Sequence, residues 1–396
     1  MSTVRPATIA TDIPALTGLR GVAAFWVLLY HAWVNATPRA IEIGFGSYSL
    51  NLTVAFSGGG AGVDVFFTLS AFLLALPFVQ WRLGLVARPS LGIYWIRRIV
   101  RIFPAYYAQL AVLLFLAGVF GIGTWPDARR LIGNLLLWFN FGSSGVAPLN
   151  GVAYTLPIEF SFYLVLPLLA LLLRPRWWVL LLLFAVAETQ LYRHLMFDPA
   201  ADTMSKVVVL NQLPGRLDQF VFGMLAAYAY VRTATTGRLP GRRAADASFL
   251  AGVAGVVLML ALLQMGSETF WSGSWLLFVW HGGMGAAIAL VLYASAAGSR
   301  IARLLFDNRP LRQLGLISFG LYLWHPPILE WLTNAGAFDR IDGYRLPWSL
   351  PVLLLLTGLV AALSYRFVER PLLRLGHRKS KTSAAAAELT IATPSA

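Results

Sequence analysis

Arg20 and His31 lie eleven positions apart in a stretch that is otherwise apolar from Leu16 to about residue 36. That stretch is long enough to cross a bilayer, and ionisable groups inside a membrane span are costly and usually kept for function. At about 3.6 residues per turn, eleven positions are almost three whole turns, so both side chains share one helix face. At about 1.5 Å per residue they stand roughly 16 Å apart along the axis. A guanidinium and an imidazole at different depths of one face suggest a polar path into the membrane. A neutral imidazole is the natural proton acceptor near pH 7, so His31 is a candidate general base. Arg20 is expected to contact an anionic substrate or to pair with a carboxylate such as Glu369. Its bland alternative is an arginine snorkelling to the interface.

Other residues offer supporting chemistry. Arg98 and Arg101, beside Arg97, share a helix face at i,i+3, and guanidinium forks suit phosphates. Retention of positive charge on the inner side is the competing explanation. Asp64 opens the second apolar stretch at the depth expected for His31. It either holds one imidazole nitrogen, as carboxylates do in triads, or caps a helix N-terminus. Gly58, Gly59 and Gly60 before it permit a tight backbone. Glu159 sits about two turns into the fourth stretch, where a buried carboxylate needs a partner or a proton. Arg20 and Arg216 are its candidate partners, and a substrate pocket is its candidate surrounding. Arg216 faces outward against the charge bias, as a pocket residue or as half of an Arg216–Asp218 pair. His325 precedes Pro326-Pro327, which should break or kink its helix. It reads either as a second polar wall or as a structural histidine; His281 reads as structural. The five histidines are too scattered for a metal site, and no H-E-x-x-H spacing occurs.

These residues need a membrane scaffold. The chain has 396 residues, 58% of them hydrophobic and only 12% charged, with a mean hydropathy of +0.69. Soluble proteins carry about 25% charged residues, so the expected fold class is an all-α, polytopic membrane helix bundle. Ten transmembrane helices are read at roughly 16–36, 61–80, 102–122, 152–173, 177–196, 215–231, 247–265, 275–297, 314–332 and 348–367. The first is too long for a typical signal-peptide core and lacks a following A-x-A site. The stretch 131–142 is too short to span and reads as re-entrant or interfacial. With both termini cytoplasmic, 23 of the 31 lysines and arginines fall on the inner side, the expected bias. That bias also accounts for the net charge of +14, so no nucleic-acid partner is expected. The absence of cysteine excludes disulfides, thiolate metal sites and a Cys nucleophile. Residues 1–13 form a short cytoplasmic segment and 14–372 the membrane domain. Residues 373–396 form a basic, then Ala/Ser/Thr-rich tail expected to be disordered.

The chain resembles the membrane-bound acyltransferase-3 family over about residues 14–372. Four segments carry the resemblance. The first is Arg20, ten intervening residues and His31; the second is Gly62-Val63-Asp64-Val65-Phe66-Phe67-Thr68-Leu69-Ser70. The third is Arg97-Arg98-Ile99-Val100-Arg101-Ile102-Phe103-Pro104. The fourth is Ser318-Phe319-Gly320-Leu321-Tyr322-Leu323-Trp324-His325-Pro326, with Glu369-Arg370-Pro371 closing the last span. One motif departs: where the family has W-S-L-x-x-E-x-x-F-Y, this chain reads Tyr154-Thr155-Leu156-Pro157-Ile158-Glu159-Phe160-Ser161-Phe162-Tyr163. The change from Trp–Ser to Tyr–Thr bears on the acceptor, and it places Tyr154 in the acceptor pocket. Family members often carry an extracellular hydrolase-like domain after the last span; none is expected here.

The resemblance implies an integral-membrane O-acyltransferase of the bacterial cytoplasmic (inner) membrane, most simply an O-acetyltransferase. The implied co-substrate is acetyl-CoA or another acyl-CoA, with no tightly bound cofactor. Arg20, Arg98 and Arg101 would grip the donor, with Arg98 and Arg101 on its phosphates and its arm threading from Arg20 to His31. His31, Asp64 and Glu159 would do the chemistry. Arg216, His325 and Tyr154 would line the acceptor side, and Glu369 would serve the inner face. The implied acceptor is a hydroxyl on a surface glycan, a lipid-linked glycan or a glycosylated metabolite, met among membrane lipids. A transporter or flippase of an anionic or lipid-linked substrate could use the same arginines, but half-helix pairs and two-fold repeats, which would favour it, are not visible. A scaffold without catalysis would leave Arg20, His31 and Glu159 unexplained.

Overall fold

The computed structural model describes Ile9, residues 12–36, 39–45, 48–139, 146–339, Ile341 and 344–375. The tail expected over 373–396 lies outside these residues from 376 onward, as does most of the segment 1–13. Helices follow one another as α1 (Pro14–Asn35), α2 (Thr53–Ser57), α3 (Ala61–Arg82), α4 (Leu91–Phe120), α5 (Ala128–Leu135) and α6 (Thr155–Leu169). Then come α7 (Trp177–Met196), α8 (Thr203–Leu210), α9 (Leu217–Thr235), α10 (Arg242–Met265) and α11 (Trp275–Ala296). The series ends with α12 (Arg300–Phe306), α13 (Arg309–Leu316), α14 (Ser318–Asn334) and α15 (Leu346–Ser364), whose last turn passes into a π-helix at Tyr365–Glu369. One small hairpin, β1 (Glu42–Phe45) with β2 (Tyr48–Asn51), interrupts the helical order and pairs antiparallel with Glu42 opposite Asn51.

Eight helical stretches are long and apolar enough to cross a membrane: Pro14–Asn35, Thr53–Arg82, Leu91–Phe120, Gly151–Leu172, Trp177–Met196, Arg242–Met265, Trp275–Ala296 and Leu346–Leu375. Ten were expected, so two expected spans fall short. Over 215–231 the helix α9 does form. Most of its side chains are buried against protein, so Asp218 and Gln219 are tolerated there and, with exposed Arg232 near its end, lower its apolarity. Over 314–332 the expected single helix divides at Ile317, leaving α14 with 17 residues. The third expected span, 102–122, begins earlier, at Leu91, where Ser90 caps α4 by accepting from the Ile93 amide. The stretch 131–142 yields only the end of α5, eight residues capped by Asp127; residues 140–142 lie outside those described.

α3 occupies the middle of the bundle, packed by α1, α9 and α11, while α10 and α7 lie at the periphery. Leu180, Leu183, Phe184, Leu191 and Leu195 of α7 stay exposed, a surface suited to hydrocarbon rather than water. α1 approaches α13 closely because Gly315 lacks a side chain: a Cβ there would collide with the Thr17 carbonyl oxygen and carbon. A Gly315→Val variant is therefore expected to lose about 1–3 kcal/mol through overpacking. Its melting temperature in detergent should fall below that of wild type, and an unchanged value would refute this packing account.

The expected break at Pro326-Pro327 does not occur; α14 runs through both prolines. Pro327 has no N–H for the Leu323 carbonyl, one turn back. Two buried amides from other elements replace it: Gln109 Nε2 of α4 and Asn150 Nδ2 (2.7 Å) both donate to Leu323 O. The freed acceptor is thus satisfied from outside the helix.

Candidate functional site

A cavity of about 100 Å³ opens between α1, α3, α4, α6 and α14. This space holds several waters or a slender chain. Arg20, Arg98, Arg101, Ser70, Glu159 and Tyr163 make its polar wall. Helix periodicity explains the set, since Arg98 and Arg101 stand three apart on α4 and Glu159 and Tyr163 four apart on α6. Glu159 accepts hydrogen bonds from Ser70 Oγ (2.7 Å) and Tyr163 Oη (2.5 Å). The Arg98 guanidinium stacks over the Tyr163 ring at 5.7 Å and Arg101 over Phe319 at 5.6 Å. Both forks are thereby held by aromatic faces while lining open space.

Several expected pairings are replaced here. Glu159 does not pair with Arg216; it faces the same cavity as Arg20. Glu369 pairs with Arg101 (3.8 Å) rather than with Arg20. Both Glu369 carboxylate oxygens are buried and make no hydrogen bond, so Arg101 is the cation that holds this end of α15 near the cavity.

Thr155 and Tyr322 also line the cavity. Tyr322 Oη donates to Val152 O (2.9 Å) and lies 3.2 Å from the Thr155 hydroxyl. Tyr154 closes the short turn before α6, but its neighbour Thr155, not Tyr154, lines the cavity. His31 is not in the cavity wall either, so this cavity does not by itself provide the expected continuous path from Arg20 to His31. One turn beyond Tyr322, His325 is fully buried, its ring centroid 6.0 Å from that of the tyrosine and 4.9 Å from that of His31. His325 Nε2 lies 3.3 Å from His31 Nδ1. His31 Nδ1 also lies 2.9 Å from Val27 O, and His325 Nδ1 lies 3.1 Å from Leu321 O.

Asp64 does not meet His31 and does not cap its helix; α3 begins at Ala61, and Asp64 accepts hydrogen bonds from side chains across the bundle. Its Oδ1 accepts from Arg216 Nη1 (2.7 Å) and Gln219 Nε2 (2.6 Å), with His281 Nδ1 at 2.9 Å. Arg216 Nε donates to Asn211 Oδ1 (2.9 Å), and its guanidinium lies over the Phe67 ring at 5.6 Å. Arg216 is therefore not the partner of Asp218, which instead accepts from the Gln219 amide. Both Asp64 and Arg216 are almost fully buried, at 1% and 2% exposure. An ion pair so buried is held by surrounding hydrogen bonds as much as by Coulomb attraction. His281, read as structural, belongs to this network. Ser70, Tyr163, Gln219 and His281 were not singled out by sequence, though Ser70 lies in the Asp64 motif and Gln219 one turn after Arg216. Among the described residues, no group of three or more His, Asp or Glu gathers as metal ligands.

The family described as Acyltransferase domain matches residues 13–366. The chain is similar to the peptidoglycan O-acetyltransferase OatA of Listeria monocytogenes, 26% identical over 396 aligned residues, covering 92% of this chain and 56% of that protein. It is similar at the same identity to the putative peptidoglycan O-acetyltransferase YrhL of Bacillus subtilis, with the same two coverages. Its similarity to the O-acetyltransferase OatA of Staphylococcus aureus is also 26% identity, over 92% of this chain and 58% of that one. The chain thus spans little more than half the length of these relatives. No solved structure matches.

Proposed function

The chain belongs to the acyltransferase 3 family, and on that premise we propose that it moves an acetyl group from acetyl-CoA to a sugar hydroxyl of an exported or surface glycan. The observation that carries this reading is the cavity in which Arg20, Arg98, Arg101 and Glu159 converge within an otherwise apolar bundle. Three guanidiniums in one cleft suit a polyanionic donor. In this reading the phosphates lie at the Arg98 and Arg101 end and the pantetheine arm runs toward Arg20. That end is the cytoplasmic one in this proposal, and the protein sits in the bacterial inner membrane with both termini inside. Peptidoglycan is the acceptor named for the Listeria relative, and it heads the acceptors to be tried.

His31 is the base in this reading. Its imidazole takes the proton of the acceptor hydroxyl as that oxygen bonds to the thioester carbonyl carbon. The tetrahedral intermediate then collapses, the carbon–sulfur bond breaks, and the CoA thiolate takes the proton from His31. Arg20 lines the donor's route into the bundle. Tyr322, which lines this cavity and whose ring lies 6.0 Å from that of His325, stands between the cavity residues and the two histidines in this reading.

The test uses purified protein in detergent with radiolabelled acetyl-CoA, with and without an envelope-glycan extract. Glycan-dependent CoA release with label on the glycan is expected. No binding and no turnover of acetyl-CoA would overturn the reading and favour transport. Arg98→Ala and Arg101→Ala are each expected to weaken CoA binding by about ten-fold, the loss of one charge-assisted contact of roughly 1.5 kcal/mol. Titration calorimetry that gave wild-type affinity for both would remove them from the donor site.

A further inference from the structure

The contact between part-buried His31 and fully buried His325 fixes where protons sit, because each ring has a second, carbonyl neighbour. Hydrogen positions in such pairs are assigned from the network, and here only one assignment works. Suppose His325 carried its proton on Nε2 and donated to His31. Its bare Nδ1 would then face Leu321 O at 3.1 Å, and the bare Nδ1 of His31 would face Val27 O at 2.9 Å. That sets lone pair against lone pair twice, once at fully buried His325, where unmatched polar groups are costly, and once at part-buried His31. The opposite assignment satisfies every contact. His325 Nδ1–H donates to Leu321 O, and His31 Nδ1–H is shared between Val27 O and His325 Nε2.

We propose that His325 is a positioning residue for acyl transfer, accepting the Nδ1–H of His31 so that Nε2 of His31 is left bare as the base that receives the acceptor's proton. The inference rests on the reading of His31 as that base. It assigns to a neutral, fully buried imidazole the orienting part that a carboxylate plays in many triads. When His31 takes the proton, the Nδ1–H bond to His325 becomes charge-assisted and strengthens, so the contact contributes most in the transition state. The placement of His325 depends on the proline pair beside it. α14 stays helical through Pro326 and Pro327 because Gln109 and Asn150 satisfy Leu323 O, and the helix thereby presents His325 to α1 from the turn before.

The test compares wild type, His325→Phe, His325→Gln and His31→Ala in acetyl-CoA turnover with glycan. His325→Phe keeps the volume and loses the acceptor; it is expected to lower kcat by about 10- to 100-fold, the usual effect of removing an orienting partner, with KM for acetyl-CoA unchanged. His325→Gln offers a carbonyl oxygen to the His31 N–H and is expected to recover most of kcat. Equal losses in Phe and Gln, or a change in KM alone, would overturn the proposal. A second measurement does not depend on turnover or on the Phe variant folding. In wild-type protein labelled with ¹⁵N-histidine, His31 and His325, identified by loss of their signals in His31→Ala and His325→Gln, should both be Nδ1–H tautomers. A free neutral imidazole prefers Nε2–H, so finding His31 protonated on Nε2 would also overturn the proposal. Full turnover by His31→Ala would instead sink the base reading itself, which separates the two failures.

Discussion

His31→Ala is expected to reduce acetyl transfer by about 10²- to 10⁴-fold, the contribution typical of a positioned general base. The variant should fold, because the His31 side chain is only partly buried and its exchange for a methyl group removes one hydrogen-bonded ring from α1. The effect should fall on kcat, with acetyl-CoA binding retained. The cavity proposed for the donor is lined by Arg20, Arg98 and Arg101 but not by His31. Binding measured by calorimetry and turnover measured by CoA release separate the two quantities. A folded variant with full turnover would show that the hydroxyl proton goes elsewhere; Glu159, which faces the cavity from α6, would then be the next group to replace.

Asp64→Ala is expected to act through stability. The substitution removes the carboxylate that receives Arg216, Gln219 and His281 and leaves the guanidinium buried without its counter-charge. Breaking one side of a buried ion pair costs about 3–5 kcal/mol. Thermal melts in detergent should show the loss directly, and the yield of folded protein should fall with it. Replacing both partners, Asp64→Leu with Arg216→Met, should recover a large part of the loss, since apolar pairs of similar volume often replace buried ion pairs at no cost. Had Asp64 oriented His31, the single variant would instead lower kcat at unchanged stability. A stable Asp64→Ala protein with a large loss of kcat would therefore refute the network described here.

The membrane class, the helical fold and most span positions were legible because they follow from composition and from runs of apolar residues. The R-x-x-R pair was legible because two arginines three apart must share a face of any helix. Glu159 stood out for a simple reason, as a carboxylate inside an apolar stretch needs an explanation wherever it lies. Its partners were not legible. Ser70 is 89 positions away and belongs to α3, and no rule of spacing links the two. The π-turn carrying Glu369 onto Arg101 is likewise a product of how α15 meets α4.

The depth argument placed Asp64 level with His31, because adjacent antiparallel spans bring such residues to similar heights. Height leaves the direction around the helix axis open. α3 lies at the centre of the bundle and turns Asp64 toward α9 and α11, where Arg216, Gln219 and His281 wait, while α1 turns His31 toward α14. The helix over 215–231 formed as expected but is less apolar than a lipid-facing span, and that over 314–332 starts later, at Ser318. A helix wrapped by protein needs less apolarity than one facing lipid, and the division at Ile317 between α13 and α14 leaves no mark in hydropathy. The sequence by itself determined the solvent this protein is built for and the ionisable residues placed in it, because both are local properties of side-chain chemistry. Only the tertiary structure decided which of those residues meet, because pairing depends on the rotation and packing of helices far apart in the chain.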